Sequence, residues 1–131
     1  ILTKGLGIPN KVRSGRVGIT GTNYKPLSDA RQKALQDVCD LINFKQNVLE
    51  KALITLLLIA YIQPFEDGNK RTARILCNAL LLANKYCPIS FRTVDPDDYR
   101  YATLLFFEQN SLPSFKKMFI EQFEFSTANY F

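Results

Sequence analysis

From Ala52 to Ile62 the chain reads Ala-Leu-Ile-Thr-Leu-Leu-Leu-Ile-Ala-Tyr-Ile, a run in which only Thr55 is plainly polar. Just ahead of it, Asn47 and Glu50 stand in the spacing with which a helix begins, where a short polar side chain accepts a hydrogen bond from an N–H of the first turn. Leu53, Ile54, Leu56, Leu57, Leu58 and Ile59 leave such a helix no face to turn to water. A bilayer span needs about 20 apolar residues, so this run is far too short to be one. It must instead be enclosed by the rest of its own chain, which predicts an all-α bundle around a buried central helix and no membrane partner.

The flanking sequence supplies the enclosing helices. Ser28 caps a helix to about Phe44, with Leu35, Val38, Leu41 and Ile42 on its buried face. Asp67 to Lys85 forms another, burying Leu76, Ala79, Leu80 and Ala83 before Pro88. Asp95-Pro96-Asp97-Asp98 is a start signal with a cap, a proline at the first helical position and acids in the first turn, and that helix runs to about Gln109. A last helix over Ser111 to Phe125 packs Phe115, Met118, Phe119 and Phe123 as one stripe. Residues 1–15, with Gly5, Gly7, Pro9 and Gly15, read as an extended lead-in. Over 16–27 the alternation of Val17 and Ile19, the turn residue Gly21, and Tyr24 before Pro26 predict one short β-hairpin. With 131 residues and 47% hydrophobic content, these elements make a single domain.

Composition removes several kinds of chemistry. The chain has no histidine, which excludes Ser-His-Asp and Cys-His catalysis and zinc sites that need an imidazole. Cys39, Cys77 and Cys87 are odd in number and widely spaced, so they read as small buried hydrophobes of a reduced, cytoplasmic protein. No signal peptide is read at the start, which opens on Ile1 as a fragment does. The net charge is +5, and Lys4, Lys11, Arg13 and Arg16 crowd the N-terminal stretch, as a solvated basic face or as an attraction for an anionic partner such as nucleotide or an acidic protein surface. No helix carries an arginine stripe with interleaved aromatics, so nucleic acid is not an expected partner.

The segment that follows the apolar run carries the functional signal. From Ile62 to Arg74, an acidic, Gly-containing loop leads straight into a new helix. The first backbone N–H groups of that helix have no partner within it, and the helix dipole adds partial positive charge. Arg71 and Arg74 stand one turn apart on one face, and Asp67 precedes them, placed to hold a divalent cation against the same anion. Together they describe a site for a metal-bound polyphosphate.

The stretch Gln63-Pro64-Phe65-Glu66-Asp67-Gly68-Asn69-Lys70-Arg71-Thr72-Ala73-Arg74 resembles the signature of the Fic (Fic/Doc, or Fido) family, His-Pro-Phe-x-Asp/Glu-Gly-Asn-x-Arg-x-x-Arg. It departs from that signature only at the first position. The resemblance implies a Fic-like helical fold and transfer of AMP from ATP, with Mg²⁺, to a protein Ser, Thr or Tyr hydroxyl. Asp67 would bind the Mg²⁺. Gly68, Asn69, Lys70 and Arg71 would hold the phosphates with the turn amides, and Arg74 would contact the terminal phosphate. Pro64 and Phe65 would anchor the loop. The hairpin corresponds to the family's flap, in which Val17, Ile19, Thr20, Gly21 and Tyr24 would dock a protein target by strand addition.

The departures fall on the chemistry. Gln63 stands where the family has its catalytic histidine, and a carboxamide has no basic lone pair at neutral pH, so catalysis is expected to be weakened or lost. Lys70 stands where AMP-transferring members commonly have Gly and where a phosphate-transferring, Doc-like branch has Lys. AMP transfer, phosphate transfer and a non-catalytic nucleotide-binding or protein-interaction module are therefore all open. The family's inhibitory pattern, Ser/Thr-x-x-x-Glu-Gly/Asn, has no match, since Ser114 is followed four residues later by Met118. The resemblance thus assigns any inhibitory helix, or antitoxin-like partner, to a place outside this chain.

Overall fold

The computed structural model describes Pro26 and residues 32–130. Among the described residues it contains five helices and no strand: α1 (Gln32–Phe44), α2 (Val48–Ile62), α3 (Asn69–Ala83), α4 (Pro96–Gln109) and α5 (Pro113–Tyr130). The lead-in expected over 1–15, the hairpin expected over 16–27 apart from Pro26, and the Ser28 cap lie outside the described residues.

The apolar run becomes α2, and it is central. Asn47 caps it, its side-chain oxygen accepting from Glu50 N at 3.1 Å. No residue from 51 to 65 is exposed. The one polar side chain of the run, Thr55, is satisfied within the helix by donating to Lys51 O at 2.8 Å, so enclosing it leaves no orphan hydroxyl. α1 and α3 pack on α2, α4 packs on α5, and one core unites Ala52, Leu56, Leu57 and Ile59 of α2 with residues of α3, α4 and α5. Burying a Leu or Ile side chain is worth about 1.5–3 kcal/mol. Differences in helix propensity among these residues amount to a few tenths. Burial therefore decides where α2 sits. At its C-terminal end Tyr61 packs on Phe106 and Phe107 of α4, each ring centroid 5.6 Å away, which draws α4 toward the motif loop.

α4 begins as its sequence predicts. Asp95 is extended and its Oδ1 accepts from Asp97 N at 2.7 Å and Asp98 N at 3.4 Å, with Pro96 first in the helix. α5 begins at Pro113 and runs past Phe125 to Tyr130. Its stripe contains Phe115, Met118 and Phe119 as expected, with Phe123 half-buried, but also the buried polar residues Gln122 and Ser126. Both hold the connection between α3 and α4, a use that an aromatic periodicity does not reveal.

Two helix faces differ from expectation. In α1 Val38 is buried and Leu35 and Ile42 are half-buried, but Leu41 is exposed. In α3 the buried residues are Asn69, Thr72, Ala73, Cys77 and Leu81, whereas Leu76, Ala79 and Ala83 are exposed and Leu80 is half-buried. Helix α3 also starts at Asn69 rather than Asp67 and ends at Ala83 rather than Lys85. The sequence offers α3 two apolar stripes of helical spacing. The smaller one faces the core because Ala73 and Cys77 let the α3 backbone approach the fully apolar α2, which bulkier side chains would hold away. Burial also pushes the Cys77 thiol up to about 12, which keeps it protonated and inert.

The two candidate faces of α3 can be told apart by mutation. Ala73 is 1% exposed, so Ala73→Leu overpacks the α2–α3 contact and should cost about 1–3 kcal/mol in urea unfolding. Ala79→Leu should change stability by no more than about 0.5 kcal/mol. The reverse order would restore the bulkier stripe as the buried one.

Candidate functional site

α2 ends at Ile62, and the next residue turns the chain. Gln63 is left-handed (φ 54°, ψ 62°) and its N–H donates to Ile59 O at 3.0 Å. This cap position usually holds Gly, because a Cβ is strained there. Gln63 offsets the strain with its side chain, since Nε2 donates to Ala60 O at 2.6 Å and Oε1 accepts from Asn69 Nδ2 at 3.1 Å. Pro64, which cannot continue a helix, follows and is fully buried.

Asn69, 4% exposed, organises the rest of the loop. Its Oδ1 accepts from Phe65 N at 2.8 Å, and its Nδ2 donates to Phe65 O at 2.8 Å and to Gln63 Oε1. One carboxamide thereby closes the loop from the end of α2 to the start of α3, and its donors and acceptor match those of the backbone it meets. Gly68 is also left-handed (φ 78°) and precedes α3, while Asp67 Oδ1 accepts from Gly68 N at 2.7 Å. The first intrahelical bond is Thr72 N to Gly68 O at 2.9 Å, so the amides of Asn69, Lys70 and Arg71 form the donor-rich end of the helix.

A cleft of about 880 Å³ lies over this end, walled by α2, the loop, α3 and α4. It brings together Gln63, Asp67, Gly68, Asn69, Lys70, Arg71 and Arg74, the catalytic, metal and phosphate candidates between 63 and 74, while the loop anchors Pro64 and Phe65 do not line it. The flap candidates Val17, Ile19, Thr20, Gly21 and Tyr24 lie outside the described residues. Lys70, Arg71, Arg74 and Arg100 supply positive charge, and Glu66, Asp67 and Asp97 supply negative charge. Arg74 Cζ lies 4.7 Å from the ring centres of both Phe91 and Tyr99, and Lys70 Nζ lies 5.0 Å over Tyr99. Partial burial holds the Lys70 ammonium below the usual lysine range, and the charges of Arg74 and Arg100 push it the same way. Burial raises the Tyr99 phenol, with the Arg74 guanidinium pulling it partly back. Cations gathered in a partly desolvated cleft favour an anion from solvent.

Three contributors were not singled out from the sequence: Tyr99, Arg100 and Phe91. Tyr99 is readable as core, since it shares the inner face of α4 with Ala102 and Phe107, but nothing in that spacing assigns it to two cations. Phe91 gives no signal at all, because its position depends on a left-handed backbone (φ 57°) in an irregular connection.

These features define a helical protein whose mixed-charge cleft opens over the N-terminus of an internal helix. The family model described as the Fic/DOC family matches residues 3–81, and the chain belongs to the Fic/DOC family. Among curated proteins it is 32% identical over 96 residues to a probable protein adenylyltransferase of Aquifex aeolicus, covering 70% of this chain and 29% of that one. It is 27% identical over 133 residues to protein adenylyltransferase fic-1 of Caenorhabditis elegans, covering 95% of this chain and 26% of that one. The chain thus spans under a third of the length of these relatives. Among solved structures, the fold is similar to that of BepC, a VirB-translocated effector of Bartonella tribocorum solved with bound AMPPNP. That similarity has a TM-score of 0.69 at 16% identity and covers 82% of this chain and 55% of that one. Fic-1 of C. elegans matches with a TM-score of 0.65 at 24% identity, over 90% of this chain and 37% of that one.

Asn69→Ala should destabilise the fold by about 1–3 kcal/mol in chemical denaturation, because it leaves partly buried backbone N–H and C=O groups of Phe65 unpaired. Asn69→Asp should not rescue it, since an ionised carboxylate accepts from Phe65 N but cannot donate to Phe65 O or Gln63 Oε1. Full stability of the Asp variant would show that the two donated bonds contribute nothing.

Proposed function

We propose that this chain is the nucleotide-binding core of a Fic-type protein adenylyltransferase scaffold. It binds ATP with Mg²⁺ in the cleft, and transfer of AMP to a protein hydroxyl is weakened or lost because Gln63 occupies the position of the general base. The observation that carries this reading is the convergence of Asp67, Asn69, Lys70, Arg71 and Arg74 around one helix N-terminus in a member of the Fic/DOC family. Relatives named as protein adenylyltransferases and a neighbour solved with AMPPNP support it.

Each residue then has a physical task. The amides opening α3 and the Arg71 guanidinium bind phosphate oxygens by charge-assisted hydrogen bonds, and Arg74 takes the terminal phosphate. Asp67 fits Mg²⁺. It is exposed at the cleft, one carboxylate oxygen is oriented by Gly68 N–H, and no cluster of three potential metal ligands exists among the described residues. Mg²⁺ bound through a single carboxylate, waters and substrate phosphates needs no more than this. When bound, it supplies neutralisation of phosphate charge. The flap over 16–27 is the proposed docking edge for the protein target, and an inhibitory helix would come from outside this chain.

Gln63 supports the weakened-catalysis reading on two counts. A carboxamide is not a base, and both ends of this one are engaged in bracing the loop. The same bonds favour a second reading, a non-catalytic nucleotide-binding module, in which Gln63 is purely architectural. Lys70 beside Arg74 keeps phosphate transfer open as well, and ATP labelled at the α or γ phosphate separates the two transfers.

Calorimetric titration tests the binding claim, with Mg-ATP expected to bind and Arg71→Ala expected to weaken it by about 1.5–3 kcal/mol. Unchanged affinity in that variant would remove the phosphate assignment. Gln63→His tests the chemistry. Restoring a positioned general base should raise label transfer to protein by at least about a hundredfold. The gain should fall away below about pH 6.5, where an ordinary imidazole is protonated and no longer accepts a proton. ATP binding without any transfer by the histidine form would favour the binding module.

A further inference from the structure

Phe91 is a bulky residue held at φ 57°, in the left-handed region where a side chain with a Cβ is strained. Gly or Asn would sit there more easily. Such strain persists only where the surroundings over-determine it, and here they do so on both sides. Before Phe91, Asn78 of α3 pairs with Ile89 twice, Nδ2 donating to Ile89 O at 2.9 Å and Oδ1 accepting from Ile89 N at 2.8 Å. Ser90 N donates to Ser126 Oγ of α5 at 3.2 Å. After Phe91, Arg92 N donates to Ser90 Oγ and Thr93 Oγ1 to Gln122 Oε1 of α5, each at 3.4 Å. The connection is thereby pinned to α3 and α5.

The pinning places the Phe91 ring, 9% exposed, against the Arg74 guanidinium and edge-on to Tyr99, with ring centres 5.9 Å apart. Tyr99 is braced in turn by an edge contact with Phe115 at 5.9 Å. Arg74 therefore rests on two fixed rings. Its Nε is buried without a hydrogen-bond partner, and among the described residues it has no ion pair. A carboxylate could also hold an arginine still, but it would occupy the N–H fork and cancel the charge that an anion needs. Aromatic faces hold the guanidinium while leaving its charge intact.

We propose that Phe91 is a positioning residue: its strained, doubly pinned ring forms with Tyr99 an aromatic seat that pre-organises Arg74 for the terminal phosphate of the nucleotide. This rests on the Mg-ATP reading of the cleft. It assigns Asn78 and Ser126 to the same task, as the clamps that keep the Phe91 backbone in place.

The test uses calorimetric titration of the whole chain with Mg-ATP and, separately, AMP, which lacks the terminal phosphate. Phe91→Leu keeps an apolar side chain but removes the ring, and should weaken Mg-ATP about three- to tenfold while leaving AMP affinity unchanged. Phe91→Tyr should recover the Mg-ATP affinity. In an Arg74→Met background, Phe91→Leu should have no further effect on Mg-ATP, because the residue through which it acts is gone. Undiminished Mg-ATP affinity in Phe91→Leu, equal losses for ATP and AMP, failure of the tyrosine to recover binding, or additive losses with Arg74→Met would each overturn the proposal. Any of these with normal binding by the parent chain removes this inference alone. No Mg-ATP binding by the parent chain removes the nucleotide reading, and this inference with it.

Discussion

The enclosure of α2 is the constraint on which the other features depend. A helix with no polar face must be covered on every side, and the small side chains of Ala73 and Cys77 allow α3 to provide one of those covers at close range. With α2 fixed in the core, its C-terminal end becomes a rigid platform. The loop from Gln63 to Gly68 starts from this enclosed helix, and α3 packs back along it. The site is built where two helices bound together by apolar packing are joined by a short polar turn.

That turn is stabilised by matching donors and acceptors rather than by burial. Asn69 serves the backbone of Phe65 and the side chain of Gln63 at once, and Gln63 closes the circuit to the last turn of α2. Two left-handed residues, Gln63 and Gly68, make the direction changes. Gly accepts such a conformation freely, whereas Gln requires compensation, and its two side-chain bonds provide it. The Gln63 side chain thus contributes to the shape of the loop.

The cleft shows a second division of labour. Lys70 and Arg74 lie against aromatic rings, and neither forms an ion pair among the described residues, so these two cations are held without being neutralised. Desolvation, with the charges of Arg74 and Arg100, holds the Lys70 ammonium below the usual lysine range. The aromatic residues responsible come from segments distant in sequence from the motif.

Much of this was legible before folding. The all-α plan, the central place of α2, the Asn47 and Asp95 caps and the joint site of Asp67, Gly68, Asn69, Arg71 and Arg74 follow from local rules of periodicity, capping chemistry and residue type at fixed spacing, while Gln63 and Lys70 were pointed out by the family resemblance. Those rules work because each depends on neighbours within one or two turns. The buried face of α3 did not follow, since two apolar stripes compete and only contact with α2 chooses the one with small residues. Nor did the extension of α5 to Tyr130, where Gln122 and Ser126 are buried to hold another segment. Phe91 is the clearest case. By itself the sequence determined that a cationic, carboxylate-bearing helix N-terminus would follow a buried helix. The tertiary structure alone decided that Phe91 and Tyr99 would lie against Arg74, because the left-handed Phe91 is flanked by residues bonded to Asn78 and Ser126, which come from two helices distant in sequence.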